Sequence, residues 1–194
     1  KQKFPLIKIR LTIYINSSMF LKTMMMCNRF SPIMMKTITL LFHKSVDLAL
    51  YCPEIPQNTG TLMRFMACMK RPIHIIFPCG FIFSDKRFQR AVMDYKQFAT
   101  FYFHDSWADF CGVMSSRRLV LASLRATKTY TSFSFEPTDC IVMGQESKGF
   151  PEDIEATMSN KVYIPMQPGL RSMNMALAGA VIMGEALRQT CLFP

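Results

Sequence analysis

From residue 46 onward, short apolar segments alternate with segments of helical character, and this alternation constrains the fold more than any other feature. The apolar segments are compact and bounded by Pro, Gly or charged residues, which is typical of strands buried on both faces. Strands are predicted at Val46–Tyr51, Ile73–Phe77, Ala99–Phe103, Leu119–Ser123, Cys140–Met143 and Val162–Ile164. The pattern therefore predicts an α/β fold with a mainly parallel sheet and helices on both faces.

Between these strands lie segments with the length and polar start of helices. Helices are predicted at Asn58–Met69, Asp105–Met114 and Ser172–Thr190, with shorter ones around Asp85–Ala91 and after Pro151. Short polar side chains accept hydrogen bonds from the first free amides of a helix, so the predicted N-caps are Asn58, Asp105 or Ser106, and Ser172. Small residues in the last helix predict close packing against another backbone: Ala176, Ala178, Gly179, Ala180 and Gly184.

The net charge of +10 is concentrated at the start of the chain. Residues 1–46 contain eight of the 23 Lys and Arg residues and none of the acidic ones, so the remainder is nearly balanced. We divide the chain into a basic, Met-rich extension at residues 1–45 and a domain at residues 46–194. The first interpretation of the extension is a dispensable segment, including sequence translated ahead of the true start; the alternatives are an organelle transit peptide and an RNA-binding arm.

Several classes of protein are disfavoured by the composition. The seven Cys residues include no CxxC pair and have no His at zinc-finger spacing, so neither a disulfide framework nor a metal site is expected. The same cysteine usage predicts a reducing compartment such as the cytoplasm. The longest uncharged run of the apolar N-terminal stretch, Leu11–Leu21, is shorter than the ~20 residues of a membrane span, so no membrane partner is expected. Neither a P-loop nor a dinucleotide-binding glycine motif follows a predicted strand.

Three loops after predicted strands carry polar residues at the edge where parallel sheets bind their ligands. These loops are Cys52–Arg64, Gly144–Pro151 and Ile164–Asn174. The two glycines of the second loop allow backbone to approach a ligand closely. The third brings polar groups to a helix N-terminus, which is suited to anions and donor-rich contacts. Taken alone, each of the first two loops is also compatible with an ordinary turn.

Taken together and in order, the loops resemble the signatures of the trefoil-knotted, SPOUT-type RNA 2′-O-ribose methyltransferases. The early Asn-x-Gly-x-x-x-Arg motif stands here as Asn58–Arg64, and the middle Gly-x-Glu-x-x-Gly-hydrophobic-Pro motif as Gly144–Pro151. The late Ile-Pro-Met and Ser-hydrophobic-Asn motifs lie within Ile164–Asn174. Residues similar to the single-domain subfamily that acts on the wobble ribose of tRNA are Pro53–Gly60, Gly80, Phe81, Lys86, Arg90, Ala91, Asp94 and Tyr95. The likeness spans residues 46–189.

The resemblance implies a C-terminal deep trefoil knot, a homodimer, and a pocket for S-adenosyl-L-methionine built from the knot loops. Carried over by position, the cofactor-binding residues are Ala122, Ser123, Gly144, Ile164, Met166, Ser172 and Met173. The resemblance also implies that the partner is the anticodon stem-loop of tRNA, with cytidine or uridine as the modified nucleotide. The expected reaction is methyl transfer to a ribose 2′-hydroxyl.

Four catalytic residues are implied by the same resemblance: Arg64, Asn58, Glu146 and Asn174. Arg64 is placed near the target hydroxyl, and because the pKa of a guanidinium exceeds about 12 we expect an electrostatic clamp, with a direct base role as the alternative. The other three are expected to hold the loops and orient the hydroxyl, while a purely structural role fits Glu146 equally well. Many relatives carry Tyr where this chain has Gly184, which puts one dimer or tRNA contact in question.

The predicted function is methylation of the wobble ribose of tRNA. One alternative is another tRNA or rRNA ribose, but relatives with such targets commonly add an RNA-binding domain. A second alternative is a catalytically silent, knotted RNA-binding module, against which the intact motif residues argue. Local basic clusters are expected to contact tRNA, at Lys70, Arg71, Lys86, Arg87, Arg90, Arg117, Arg118, Arg125 and Lys128.

Overall fold

A computed structural model describes residues 45–194, which form a seven-stranded sheet with parallel neighbours. The strands are β1 Asp47–Tyr51, β2 Ile73–Ile76, β3 Phe101–His104, β4 Arg118–Ala122, β5 Lys128–Thr129, β6 Asp139–Met143 and β7 Lys161–Tyr163. The helices are α1 Pro56–Cys68, α2 Lys86–Val92, α3 Trp107–Val113, α4 Glu152–Thr157 and α5 Met175–Thr190, and a 3₁₀ turn at Met93–Gln97 follows α2. The strand order is β3-β2-β1-β6-β4-β7-β5.

Alternate side chains of the central strands enter two separate cores, one on each face of the sheet. In β1, Leu48 and Leu50 belong to the core that contains side chains of α1, α2 and α5, whereas Ala49 belongs to the core under α3 and α4. In β6, Ile141 and Val142 divide between the two cores in the same way. A strand that is covered on both faces has apolar side chains on both, which is why its sequence is a continuous apolar run. The predicted α/β fold with helices on both faces is confirmed.

The strand order brings the ends of distant segments together. β6 lies between β1 and β4, and β4 also pairs with β7, so Ala122, Met143 and Tyr163 end neighbouring strands at one edge. The loops after these strands leave the sheet side by side. This arrangement places the candidate loops of the sequence in contact with one another.

Two predicted helix starts are wrong, and one is confirmed. α1 begins at Pro56, with Ile55 at the N-cap position, so Asn58 lies inside the first turn rather than capping it. Proline is favoured at the first helical position because its fixed φ suits a helix and its missing N–H would have no helical partner there. α5 begins at Met175 and is capped by Asn174, not by Ser172. The Ser106 hydroxyl accepts from the Asp109 amide, as predicted for α3.

Ser45 and strand β5 are two details that the sequence pattern did not indicate. The predicted extension at residues 1–45 lies outside the described residues except for Ser45, which is buried and donates to Asp47 Oδ1 at 2.7 Å. Strand β5, with two residues, is too short to leave a periodic signal in the sequence. Within residues 45–194, no helix is long and apolar enough to cross a membrane. In the same part of the chain, the cysteines are free thiols.

A chain of buried polar side chains crosses the sheet on the α3 side. His74 Nε2 lies 3.3 Å from Asp47 Oδ2, and its Nδ1 lies 2.9 Å from His104 Nε2. His104 Nδ1 faces Asp109 Oδ2 at 3.6 Å, and Arg117 Nη1 donates to Asp47 Oδ2 at 2.5 Å. The series therefore joins three neighbouring strands and α3 through the buried side chains of Asp47, His74 and His104, and it reaches solvent at Asp109.

Candidate functional site

A cavity of about 620 Å³ opens at the edge where β4, β6 and β7 end. Its wall is formed by residues 122–125 and 144–150 at the ends of β4 and β6, and by residues 171–175 around the start of α5. All seven residues that the resemblance assigned to the cofactor line it: Ala122, Ser123, Gly144, Ile164, Met166, Ser172 and Met173. Residues of all three candidate loops thus line one concave site.

The glycine loop after β6 closes on itself. The Gln145 amide donates to the Gly149 carbonyl and the Gly149 amide to the Gln145 carbonyl, both at 2.9 Å. A Cβ on Gly144 would lie 2.8 Å from the Gly149 carbonyl carbon, and Gly149 has a φ of +69°. A side chain at Gly144 would therefore push the turn open, and one at Gly149 would strain its backbone. The glycines therefore keep the backbone of the loop tight against the cavity.

The Glu146 carboxylate at the tip of this loop is bound to the start of α1. Its Oε2 accepts from the Glu54 amide at 2.8 Å, and its Oε1 accepts from the Ile55 amide and from Asn58 Nδ2, both at 3.2 Å. A carboxylate at this position satisfies donors that have no helical partner. Glu54 returns the contact, since its carboxylate accepts from the Ser147 amide and hydroxyl at 2.9 and 2.8 Å. These contacts correspond to the loop-holding role expected of Glu146.

Asn58 connects the glycine loop to the last helix. Its side chain is 7% exposed, and Asn174 Nδ2 donates to its Oδ1 at 2.9 Å. Asn174 Oδ1 in turn accepts from the Ala176 amide at 2.9 Å and caps α5. One hydrogen-bonded series therefore runs from Glu146 through Asn58 to the N-terminus of α5. Three of the four residues that the resemblance made catalytic are brought together at the cavity wall.

Arg64, the fourth of these residues, lies elsewhere. It is exposed on α1 and is not among the residues that line the cavity. Its Nη1 donates to Met93 Sδ at 3.4 Å, and its Cζ lies 4.7 Å from the centre of the Tyr95 ring. Within one described chain, the structure therefore does not bring Arg64 to the cavity.

A buried acid at the cavity wall was missed from the sequence. The Glu155 side chain on α4 accepts a hydrogen bond from the Ser123 hydroxyl and another from Arg125 Nη1 at 2.7 Å, although it is only 5% exposed. The Arg125 amide donates to Ser123 Oγ at 3.1 Å. An acid and a base thirty positions apart follow no spacing rule, and the pairing of β4 with β6 and β7, the strands on either side of α4 in the chain, brings them together. Glu155 thereby anchors the loop after β4 that lines the cavity.

The Cys79 thiol is not poised for nucleophilic chemistry. Burial is the main cause that raises the pKa of Cys79 to about 12, and Cys52 and the Glu146 carboxylate contribute to the same shift. The thiol is therefore protonated at neutral pH, whereas a cysteine nucleophile requires the thiolate. Within residues 45–194, no group of three or more His, Cys, Asp and Glu side chains is arranged to hold a metal ion.

Comparison with known proteins gives consistent matches over the described domain. The SpoU rRNA Methylase family model matches residues 45–184. The chain is 46% identical over 144 residues to a tRNA (cytidine(34)-2′-O)-methyltransferase of Beijerinckia indica, covering 73% of this chain and 90% of that protein. It is 36% identical over 146 residues to the Escherichia coli K12 protein of the same name, covering 74% and 93%.

Solved structures match the same region. A structure described as giving insights into the 2-OH methylation of C/U34 on tRNA superposes with a TM-score of 0.71 at 36% identity, covering 75% of this chain and 96% of that one. A SpoU methyltransferase of Streptomyces viridochromogenes, solved with AdoMet, superposes with a TM-score of 0.69 over 76% of this chain and 61% of that one. At 19% identity, the second match establishes the shared fold.

Proposed function

The chain belongs to the SpoU rRNA methylase family, and we propose that it transfers a methyl group from S-adenosyl-L-methionine to the ribose 2′-hydroxyl of nucleotide 34 of tRNA. The observation that carries this proposal is the single cavity formed by the three motif loops, in a chain 46% identical to an enzyme named for that reaction. The resemblance stated from the sequence motifs is confirmed at the level of the family.

The cavity has the size and lining that the methyl donor requires. Its volume of about 620 Å³ lies within the usual range for small-molecule sites. Ile164, Met166 and Met173 offer apolar surface, and the closed glycine loop offers backbone amides and carbonyls at Gly144. Such a lining suits a flat base and an uncharged sugar, and Ser172 adds a hydroxyl. When bound, the donor supplies a methyl group on a sulfonium, which makes that carbon electrophilic.

The residues of the chain have to position and activate the ribose hydroxyl, because a neutral hydroxyl is a weak nucleophile. We assign Arg64 as an electrostatic clamp on the ribose or its phosphate, since a guanidinium stabilises negative charge that develops on the oxygen. Asn58, Glu146 and Asn174 hold the loops around the cavity through the hydrogen bonds described above. Positioning of this kind contributes to rate because the reacting atoms must align.

Because Arg64 is absent from the cavity lining of its own chain, we further propose a homodimer in which each cavity is completed by Arg64 of a second copy. Leu177 and Val181 lie one turn apart on α5 and are exposed, and a Cβ on Gly184, one turn further, would meet nothing within 4 Å. This apolar strip supports an α5 contact between copies. Gly179, by contrast, packs inside the chain, where a Cβ would lie 3.0 Å from a Leu62 methyl carbon.

The expected trefoil knot, the anticodon stem-loop as the bound part of tRNA, and a cytoplasmic location complete the proposal. The insertion of β7 between β4 and β5, which precede it in the chain, supports the knot. The free thiols of residues 45–194 support a reducing compartment. Nucleotide 34 lies in the anticodon loop, so that loop is the part of tRNA that must reach the cavity.

The test is methyl transfer to tRNA with labelled donor, followed by mapping of the modified nucleotide. We expect one label per tRNA at nucleotide 34, and none on a matched tRNA with a 2′-deoxyribose at that position. Label on the deoxy control would show that another ribose, or a base, is the target. Donor and tRNA binding without transfer would indicate the silent RNA-binding module instead.

A further inference from the structure

The guanidinium of Arg64 is held against an aromatic ring rather than extended into solvent. Its Cζ lies 4.7 Å from the centre of the Tyr95 ring, within the range of a cation–π contact. The same guanidinium donates to Met93 Sδ at 3.4 Å. Both partners belong to the 3₁₀ turn Met93–Gln97, which follows α2. One turn of backbone therefore supplies two contacts to one exposed side chain of α1.

Gly60 makes this approach possible. A Cβ on Gly60 would lie 2.5 Å from Ala91 Cβ and 3.2 Å from the backbone of Phe88 and Val92, so only glycine lets α2 pack this closely on α1. Gly60 precedes Arg64 by four residues, which places the two on the same face of α1. The spacing of the Asn-x-Gly-x-x-x-Arg motif thus has a physical reason. Gly60 allows α2 to pack closely on α1, and the 3₁₀ turn that follows α2 contains Tyr95.

The backbone of this turn is strained at Met93, one of the two residues that contact Arg64. Met93 has a φ of +51° and a ψ of −142°, a region that non-glycine residues rarely occupy. Its side chain is 56% exposed, so burial of the thioether does not account for this conformation. Strained residues persist where the surroundings determine them, and they concentrate at functional sites. The residue in this conformation is the one whose sulfur accepts from the Arg64 guanidinium.

We propose that Tyr95 is a positioning residue that acts through Arg64: its ring fixes the guanidinium in the orientation needed at the ribose. This inference rests on the proposed function and on the role assigned there to Arg64. An arginine side chain has several rotatable bonds, and a guanidinium already held in one place loses less freedom when the substrate binds. The ring face, not the phenol hydroxyl, provides the contact.

The test is a double-mutant cycle on the methylation rate at nucleotide 34. Tyr95→Leu removes the ring and should lower kcat/KM by about 3- to 30-fold, the range that a cation–π contact supplies. Tyr95→Phe keeps the ring and is the matched control, with a rate near that of the unaltered chain. In an Arg64→Ala background, Tyr95→Leu should cause no further loss, because its effect passes through Arg64. The dissociation constant of the methyl donor should stay unchanged in all variants.

Equal losses from Tyr95→Leu with and without Arg64 would overturn the inference and indicate that the ring contacts RNA directly. A Tyr95→Phe variant as slow as Tyr95→Leu would overturn it as well, since the hydroxyl would then be the active group. Weakened donor binding in Tyr95→Leu would show a general structural role and would also contradict it. An unaltered chain that does not methylate tRNA would overturn the proposed function and this inference together, whereas an active chain with additive losses would overturn this inference alone.

Discussion

Asn174 donates its side-chain amide to the Oδ1 of Asn58 at 2.9 Å, while its own Oδ1 accepts from the first amides of α5. One side chain therefore ends the loop after β7, caps the last helix, and binds the first turn of α1. Asn58 Nδ2 in turn donates to the Glu146 carboxylate at 3.2 Å. The cavity loops are linked through hydrogen bonds of defined direction, which permits a test that separates helix capping from loop positioning.

Asn174→Ala removes both functions, whereas Asn174→Ser keeps a capping oxygen and is too short to reach Asn58. We expect Asn174→Ala to lower the free energy of unfolding by about 1 kcal/mol, the usual cost of a lost N-cap. Asn174→Ser should restore most of that stability. Both variants should slow methylation about 3- to 10-fold, since each loses the hydrogen bond to Asn58. Urea unfolding and initial rates measure the two effects, and full activity in Asn174→Ser would show that the Asn58 contact is dispensable.

The convergence of the three loops was predictable because parallel strands end at a common edge. Gly144 follows a predicted strand, and Ala122 and Ile164 lie at the carboxyl ends of two others, so all three were expected at one edge of the sheet. That these three strands are neighbours is seen only in the strand order of the structure. The faces of β1 and β6 were predictable for a similar reason, since continuous apolar runs indicate strands covered on both sides. These inferences depend on local pattern and on one general property of parallel sheets.

The details that failed depend on competition between neighbouring residues or on distant pairing. Asn58 has the side chain of an N-cap, but Pro56 is better suited to begin the helix and leaves Asn58 free to bind Glu146. Glu155 reaches Ser123 because β4 is the neighbour of β6 and β7, the strands on either side of α4 in the chain, and no local pattern encodes that pairing. Side-chain partners of this kind require the three-dimensional structure.

Arg64→Ala should separate catalysis from donor binding. Because Arg64 is assigned to the ribose or its phosphate and not to the methyl donor, the donor dissociation constant should stay within about twofold, while the methylation rate falls about 100-fold or more. Arg64→Lys keeps the charge without the planar guanidinium, so its methylation rate should lie between those of the unaltered chain and Arg64→Ala. Calorimetric titration with the donor and single-turnover rates supply the measurements. Parallel losses of donor affinity and rate would contradict the assigned role.

Ser172→Ala, unlike Arg64→Ala, should weaken binding of the methyl donor. Ser172 lines the cavity, is exposed and lies before α5, so its removal should change the free energy of unfolding by less than about 0.5 kcal/mol. Loss of one hydrogen bond to the donor should weaken binding about 3- to 10-fold. Ser159→Ala, at an exposed serine outside the cavity, is the control. An unchanged donor dissociation constant in Ser172→Ala would count against the proposed pocket.

Removal of residues 1–44 tests whether the basic extension binds tRNA. Ser45 has to be kept, because its hydroxyl binds Asp47 and its carbonyl accepts from Arg117. Each phosphate contact to single-stranded RNA contributes a log–log salt slope of roughly −0.7, so a lost arm of several contacts would be visible. We expect the slope and the methylation rate to stay nearly unchanged, since the extension lies outside the family match. A slope shallower by several units, with activity lost at physiological salt, would identify an RNA-binding arm.

The buried histidine chain should make stability depend on pH in a defined window. Burial, and next the neighbouring His74, lower the pKa of His104 to about 4, although Asp109 opposes the shift. In the unfolded chain the ring protonates near pH 6.5. Between these two values the unfolded state binds more protons than the folded state, so the free energy of unfolding falls as the pH drops from about 6.5 to 4. Above that window the contribution of the neutral ring is fully present.

The size of this effect follows from the pKa difference and is at most about 3 kcal/mol for a side chain that is 4% exposed. His104→Gln keeps an amide donor for His74 but does not titrate, so it serves as the matched variant. Urea unfolding of both proteins from pH 7.5 to 4.5 gives two curves, and their difference isolates His104 from the carboxylates that also titrate there. We expect the unaltered chain to lose stability more steeply than His104→Gln below pH 6.5. Parallel curves would show that His104 carries no such linkage and that its ring is protonated equally in the folded and unfolded states.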